Sequence, residues 1–236
     1  ACFEPTLDYI VTKIARFPFD KFTHASNKLS TQMKATGEVM CIGRTFEESL
    51  LKGIRSLEVG AYHLHSKKFD NKSNEELLDY IKDGTDDRMF AIAQLMRNNV
   101  DIELINEITQ IDMFFLNKIK RIVNFEKDIK ANIADIDILE KAKRIGFSDR
   151  YIAEAWDKTE LDIYNLRKAN NILPVYKMID TCGGEFKSYV PYLYSTYEDE
   201  NESIITDKKK IIVLGAGPIR IGQGVEFDYS TVHAIK

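Results

Sequence analysis

From Ser73 to Asn171, apolar residues recur at helical spacing in short runs, each closed by its own break, and this stretch reads as a series of short amphipathic helices. It is also the part of the chain best able to fold without outside neighbours. Ser73 and Glu76 have the spacing of a capping box, in which a hydroxyl takes the N3 amide and a carboxylate reaches back to the cap amide. Leu77, Leu78 and Ile81 give the helix they open its apolar face. After a break at Asp83-Gly84-Thr85, Met89, Ile92, Ala93 and Met96 define the next helix, with Arg88 and Arg97 expected to face water. Asn98-Asn99 stops it, and Asp101 is predicted to cap a helix through Leu104, Ile105 and Ile108. The longest segment follows. Ile111, Phe115, Ile119 and Ile122 form one stripe, widened by Leu116 and Val123, while Met113, Phe114 and Phe125 fall outside it. A helix apolar over most of its circumference is central or lies at an interface. The expectation is a small all-α domain with this helix at its centre.

The flanks have a different grain. Leu7 to Ile14 is β-branched enough for a strand, and Thr31–Lys34 with Glu38–Ile42 suggest a hairpin around Ala35-Thr36-Gly37. Thr45 and Glu48 repeat the capping-box spacing ahead of Phe46, Leu50, Leu51, Ile54 and Leu57. So few strands do not cover both faces of a sheet, so this segment reads as the tail of a larger α/β domain. Ala61 to Lys72 is a connector, and Ile133 to Ile138 a loop. Further helices are predicted over Ile138–Arg144, Ser148–Asp157 and Thr159–Asn170, and a short strand over Val175–Ile179. The acidic run Glu198–Glu202 reads as a solvated linker. Ile211–Leu214 has the continuous apolar character of a buried parallel strand. Both ends are expected to be cuts in a longer polypeptide.

A formal charge of −4 and a pI near 5.7 argue against a general nucleic-acid or membrane-surface binder, which needs a basic face. Cys2, Cys41 and Cys182 are odd in number and far apart, which fits free thiols in a reducing cytoplasm. No apolar run approaches a membrane span.

Few motifs carry chemistry. Gly215, Gly217, Gly222 and Gly224 follow the last apolar run, but Arg220 stands where the third glycine of a dinucleotide fingerprint belongs. Two readings stay open for the Gly215–Gly224 loop: a nucleotide site of a stand-alone α/β enzyme, and a glycine turn that only joins strand to helix. Gly146-Phe147-Ser148-Asp149 followed by two short helices resembles a helix-turn-helix. Its second helix, however, sets Glu160 and Asp162 against Arg167 and Lys168, offering a phosphate backbone little net attraction. Trp156 is expected in the core. His63 and His65 lack a cysteine or carboxylate at ligand spacing, and His24 and His233 lack a catalytic partner. Arg16, Lys34 and Arg44 read as surface or ion-paired cations.

Longer motifs add a resemblance. Phe3–Ile14 (FEPTLDYIVTKI), Leu29–Met40 (LSTQMKATGEVM) and Ile42–Leu50 (IGRTFEESL) resemble the end of the first ATP-grasp module in the large chain of carbamoyl-phosphate synthase. Asp180–Phe186 and Tyr194–Glu198 resemble that family's passage to its second half, and Gly217–Tyr229 the start of the second module. The resemblance implies a mainly α chain: residues 61–207 an all-α oligomerization domain, flanked by truncated α/β pieces. Residues 1–60 would be the remnant of the carboxyphosphate module, and 208–236 the Rossmann-like start of the carbamoyl-phosphate module. It implies a parent ligase of pyrimidine and arginine biosynthesis. That enzyme makes carbamoyl phosphate from bicarbonate, two ATP with Mg²⁺ or Mn²⁺, and ammonia released from glutamine by a small partner chain. No catalytic, cofactor-binding or metal-binding residue carries over to this stretch. Gly224 and Glu226 match positions lining the family's carbamate tunnel. The piece is expected to be cytoplasmic and inactive alone, with neither nucleic acid nor membrane as partner, and to self-associate around Phe114 and Phe115.

Overall fold

The computed structural model describes residues 4, 6–22, 24–186, 192–214 and 229–236. They are mostly helical, with two small antiparallel sheets. Strand β1 (Ile10–Arg16) pairs with β2 (Gly37–Gly43), from Ile10 opposite Gly43 to Arg16 opposite Gly37. This corrects the sequence expectation, because Thr31–Lys34 is no strand. Met33 in that arm is almost wholly exposed, so the segment has no apolar side to bury against β2, whereas β1 offers Ile14. The Thr36 amide donates to Arg16 O and closes the long loop instead.

Helix α1 (Phe46–Ser56) follows, and Thr45 accepts the Glu48 amide at its start. Then come α2 (Asn74–Tyr80), α3 (Arg88–Arg97), α4 (Ile102–Thr109), α5 (Met113–Ala131), α6 (Ile136–Ile145), α7 (Asp149–Ala155) and α8 (Glu160–Ala169). The α2 capping box of Ser73 and Glu76 is complete, with both reciprocal bonds present, as is that of Thr159 and Asp162 ahead of α8. At α1 only half the predicted box forms. The Glu48 carboxylate turns from its cap amide to the Arg44 amide, 2.8 Å away. Asp101 opens α4 without a side-chain cap bond.

As expected, α5 is the central helix, touching α1, α3, α4, α6 and α7. Its buried seam is Leu116, Ile119, Ile122, Val123, Glu126 and Ile129. Phe115, placed on the stripe by spacing, is 45 % exposed. Leu50, Leu51 and Ile54 of α1 enter the same core, which Phe69, Phe147 and Trp156 fill out. Trp156 donates its indole N–H to Ile129 O at 2.7 Å.

Beyond the helices, β3 (Val175–Met178) pairs with β4 (Leu193–Thr196), and α9 spans Tyr229–Ile235. Ile211–Leu214 is not the buried parallel strand that its composition suggests. Ile211 is 91 % exposed, and none of the described residues pairs with the segment, so its apolar side chains meet no sheet.

Candidate functional site

Two features stand out: an aromatic patch on the outer face of α1 and α5, and a polar cavity on another side of α5. The patch grows from the start of α5, where Asp112 accepts the Phe114 amide and sets Phe114 and Phe115 side by side in the first turn. Their ring centroids lie 5.3 Å apart, edge to face, and Phe46 of α1 approaches Phe115 at 5.5 Å and Phe114 at 6.3 Å. The Lys118 ammonium caps the Phe114 ring at 5.5 Å. Phe114 remains 54 % exposed. The buried Glu47 carboxylate holds Arg121 at 3.2 Å and Lys118 at 3.5 Å beside the rings. Exposed aromatic rings bordered by charge are what a protein interface is made from.

The cavity encloses about 820 Å³ between residues 59–67 and helices α3, α5 and α7. Its floor overturns one sequence reading and adds to another. His63, placed in a connector without a carboxylate at ligand spacing, is 3 % exposed, and its Nε2 lies 2.7 Å from Glu126 Oε1. Arg97, expected to face water, points inward and grips both Glu126 oxygens, Nε and Nη2 each at 2.8 Å. Nη2 also donates to Leu64 O, which ties the connector to α3. A buried carboxylate requires such partners, and a bidentate guanidinium is the strongest available.

Burial pushes the Glu126 pKa up, but the hydrogen bonds from Arg97 and His63 outweigh it and hold the group at about 2. For His63, burial outweighs the help from Glu126 and pushes the imidazole below its ordinary 6.5. A neutral imidazole facing an ionised carboxylate carries its proton on Nε2, a tautomer assigned from these bonds. The ring is packed at 4.0 Å from Tyr151 and 5.1 Å from Phe147, centroid to centroid. Sequence spacing missed this triad. One signal was present: Glu126 falls three and seven residues after Val123 and Ile119, a charge on the apolar seam.

A second buried ion group explains the helix-turn-helix look of residues 146–170. Asp149 accepts from Lys143 Nζ and from Arg167 Nε, both at 2.8 Å, so α6, α7 and α8 are joined through one carboxylate. Arg167 thus turns toward Asp149, and Phe147 of the turn is core. His65 has a carboxylate partner as well, Asp70 at 2.6 Å. His233 packs on Tyr229 one helical turn earlier.

Gly224, Glu226 and the whole Gly215–Gly224 loop lie outside the described residues. Among the described residues, no group of three or more His, Cys, Asp or Glu side chains is arranged to hold a metal ion, and no helix is long and apolar enough to cross a membrane. In comparisons with protein families, residues 38–171, more than half of the chain, match the model of the carbamoyl-phosphate synthetase large chain, oligomerisation domain. Residues 207–236 match the carbamoyl phosphate synthase preATP-grasp domain.

Proposed function

The chain belongs to the carbamoyl-phosphate synthetase large-chain family, and from that premise we propose that it is an assembly and spacing element of such a large chain, with no turnover of its own. In this reading residues 61–207 are the helical oligomerisation domain. Residues 1–60 close the carboxyphosphate module, and residues 208–236 open the carbamoyl-phosphate module. The observation that carries the proposal is the aromatic patch of Phe114 and Phe115 on the central helix, met by Phe46 of α1, all within the stretch matching an oligomerisation domain. A surface of this kind gains by meeting a second copy, since burying apolar area is favourable by about 25 cal/mol per Å².

The parent enzyme then makes carbamoyl phosphate from bicarbonate, ammonia and two ATP, the ammonia arriving from a glutaminase small chain, in the cytoplasm. Gly224 and Glu226 line its carbamate tunnel, where glycine leaves the bore open and the carboxylate orients a polar guest. The family resemblance carries no ATP- or metal-binding residue onto this stretch. Phosphoryl transfer depends on positioning phosphates and their metal, so it is assigned to other parts of the parent. A coupled assay of ADP release with ATP, Mg²⁺, ammonium and bicarbonate tests this. The purified chain is expected to show no bicarbonate-dependent turnover, and any such turnover contradicts the proposal.

A further inference from the structure

We propose that the cavity between residues 59–67 and helices α3, α5 and α7 binds a small organic anion, a carboxylate or phosphate compound. This is a site distinct from the assembly patch and independent of it. The charged groups around the cavity differ in how far they are already engaged. Every lining carboxylate has a partner within the chain. Glu126 is held by Arg97 and His63, Asp70 by His65, and Glu154 by the Tyr62 hydroxyl and, at 3.7 Å, by Arg150.

The lining cations are less engaged. Lys67 and Lys130 also line the cavity, and among the described residues neither makes an ion pair. Arg97 has its Nε and Nη2 committed, while Nη1 has only a long 3.4 Å bond to Gln94 Oε1. Among the described residues, the donors left unengaged around the cavity are therefore cationic, Lys67 and Lys130 with Arg97 Nη1 only weakly held, and such donors suit an oxyanion. Tyr62 and Tyr151 add ring faces for an organic body, and about 820 Å³ falls within the range of metabolite pockets, roughly 300–1,000 Å³. Glu126 also fixes the Arg97 plane before any ligand arrives, so little ordering is required on binding.

Amide-resolved NMR titration of the whole chain at constant ionic strength tests the site, with succinate, inorganic phosphate and phenyl phosphate as probes and uncharged succinamide as control. Saturable shifts are expected at the amides of Gly60, Ala61 and Gln94. The carboxylate and phosphate arms distinguish which source of the anion is preferred. Lys67→Gln and Lys130→Gln should each weaken binding about 5-fold, the size of one solvent-screened charge contact. Both side chains are exposed, so the fold does not depend on them. Lys82→Gln, which alters an exposed lysine outside the cavity, should leave affinity unchanged. The proposal is overturned by no saturable shift up to about 10 mM probe. Equal binding of succinamide, or undiminished binding by the Lys67→Gln/Lys130→Gln double variant, also overturns it.

Discussion

Glu126 is the residue on which the interior polar structure turns, because with Arg97 it joins the connector, α3 and α5 through charged hydrogen bonds. Replacing it with leucine leaves Arg97 turned inward with no counter-charge. Unfolding in urea should show a loss of about 3–5 kcal/mol for Glu126→Leu, and a smaller loss for Arg97→Met/Glu126→Leu, which removes both charges together. The same group makes the chain acid-labile. Unfolded His63 takes up a proton at its ordinary 6.5, whereas folded His63, buried beside Arg97 and Arg55 as well as Glu126, holds one only at lower pH. Stability is therefore full above pH 6.5 and falls as pH drops below it. Glu126 adds a second loss from its ordinary 4.5 down to about 2, worth about 3 kcal/mol over that span. His63→Gln should flatten the dependence between pH 7.5 and 5.5 while leaving the lower limb; an unchanged slope in that window would remove His63 from the account. A charge on the α5 seam was legible in the sequence as an anomaly. Its partners were not, since they lie 29 and 63 residues away and only the packed fold brings them together.

At the scale of elements, what depends on near neighbours was readable, and what depends on distant ones was not. Ser73 with Glu76 and Thr159 with Asp162 are local devices, and their capping boxes form as the spacing implies. Thr45 with Glu48 has equal spacing, yet Glu48 also meets a distant partner, the Thr196 hydroxyl of β4 at 3.0 Å, and its carboxylate turns with it to the Arg44 amide and to Lys52 at 2.7 Å. Strand pairing failed for the same reason, because β2 found β1 across a long loop instead of the nearer Thr31–Lys34 arm. The α6–α7 turn shows how closely these elements fit. Gly146 ends α6 at φ +106°, and a Cβ there would sit 2.7 Å from the Glu48 Cα of α1. Gly146→Ala combines left-handed strain with a backbone clash, so a loss of more than about 1 kcal/mol is expected. A melting temperature equal to wild type would show that α1 does not press on this turn.

The molecule as a whole is a set of helices gathered around α5, and that much followed from apolar periodicity between Ser73 and Asn171. Periodicity did not reveal that α1 lends Leu50, Leu51 and Ile54 to the same core, because an amphipathic helix does not announce which neighbour its face will meet. Nor did composition foresee that Ile211–Leu214 would lie exposed, since a buried strand is made by the strands beside it. In the assembly role proposed for the chain, the contact lies on Phe114 and Phe115, beside Phe46. Sedimentation velocity over a wide concentration range, on wild type and on Phe114→Ser/Phe115→Ser, tests that directly. A discrete oligomer that the double substitution dissociates, with helicity retained, is the predicted result. A wild-type monomer at the highest concentration, or an oligomer indifferent to the substitution, would contradict it.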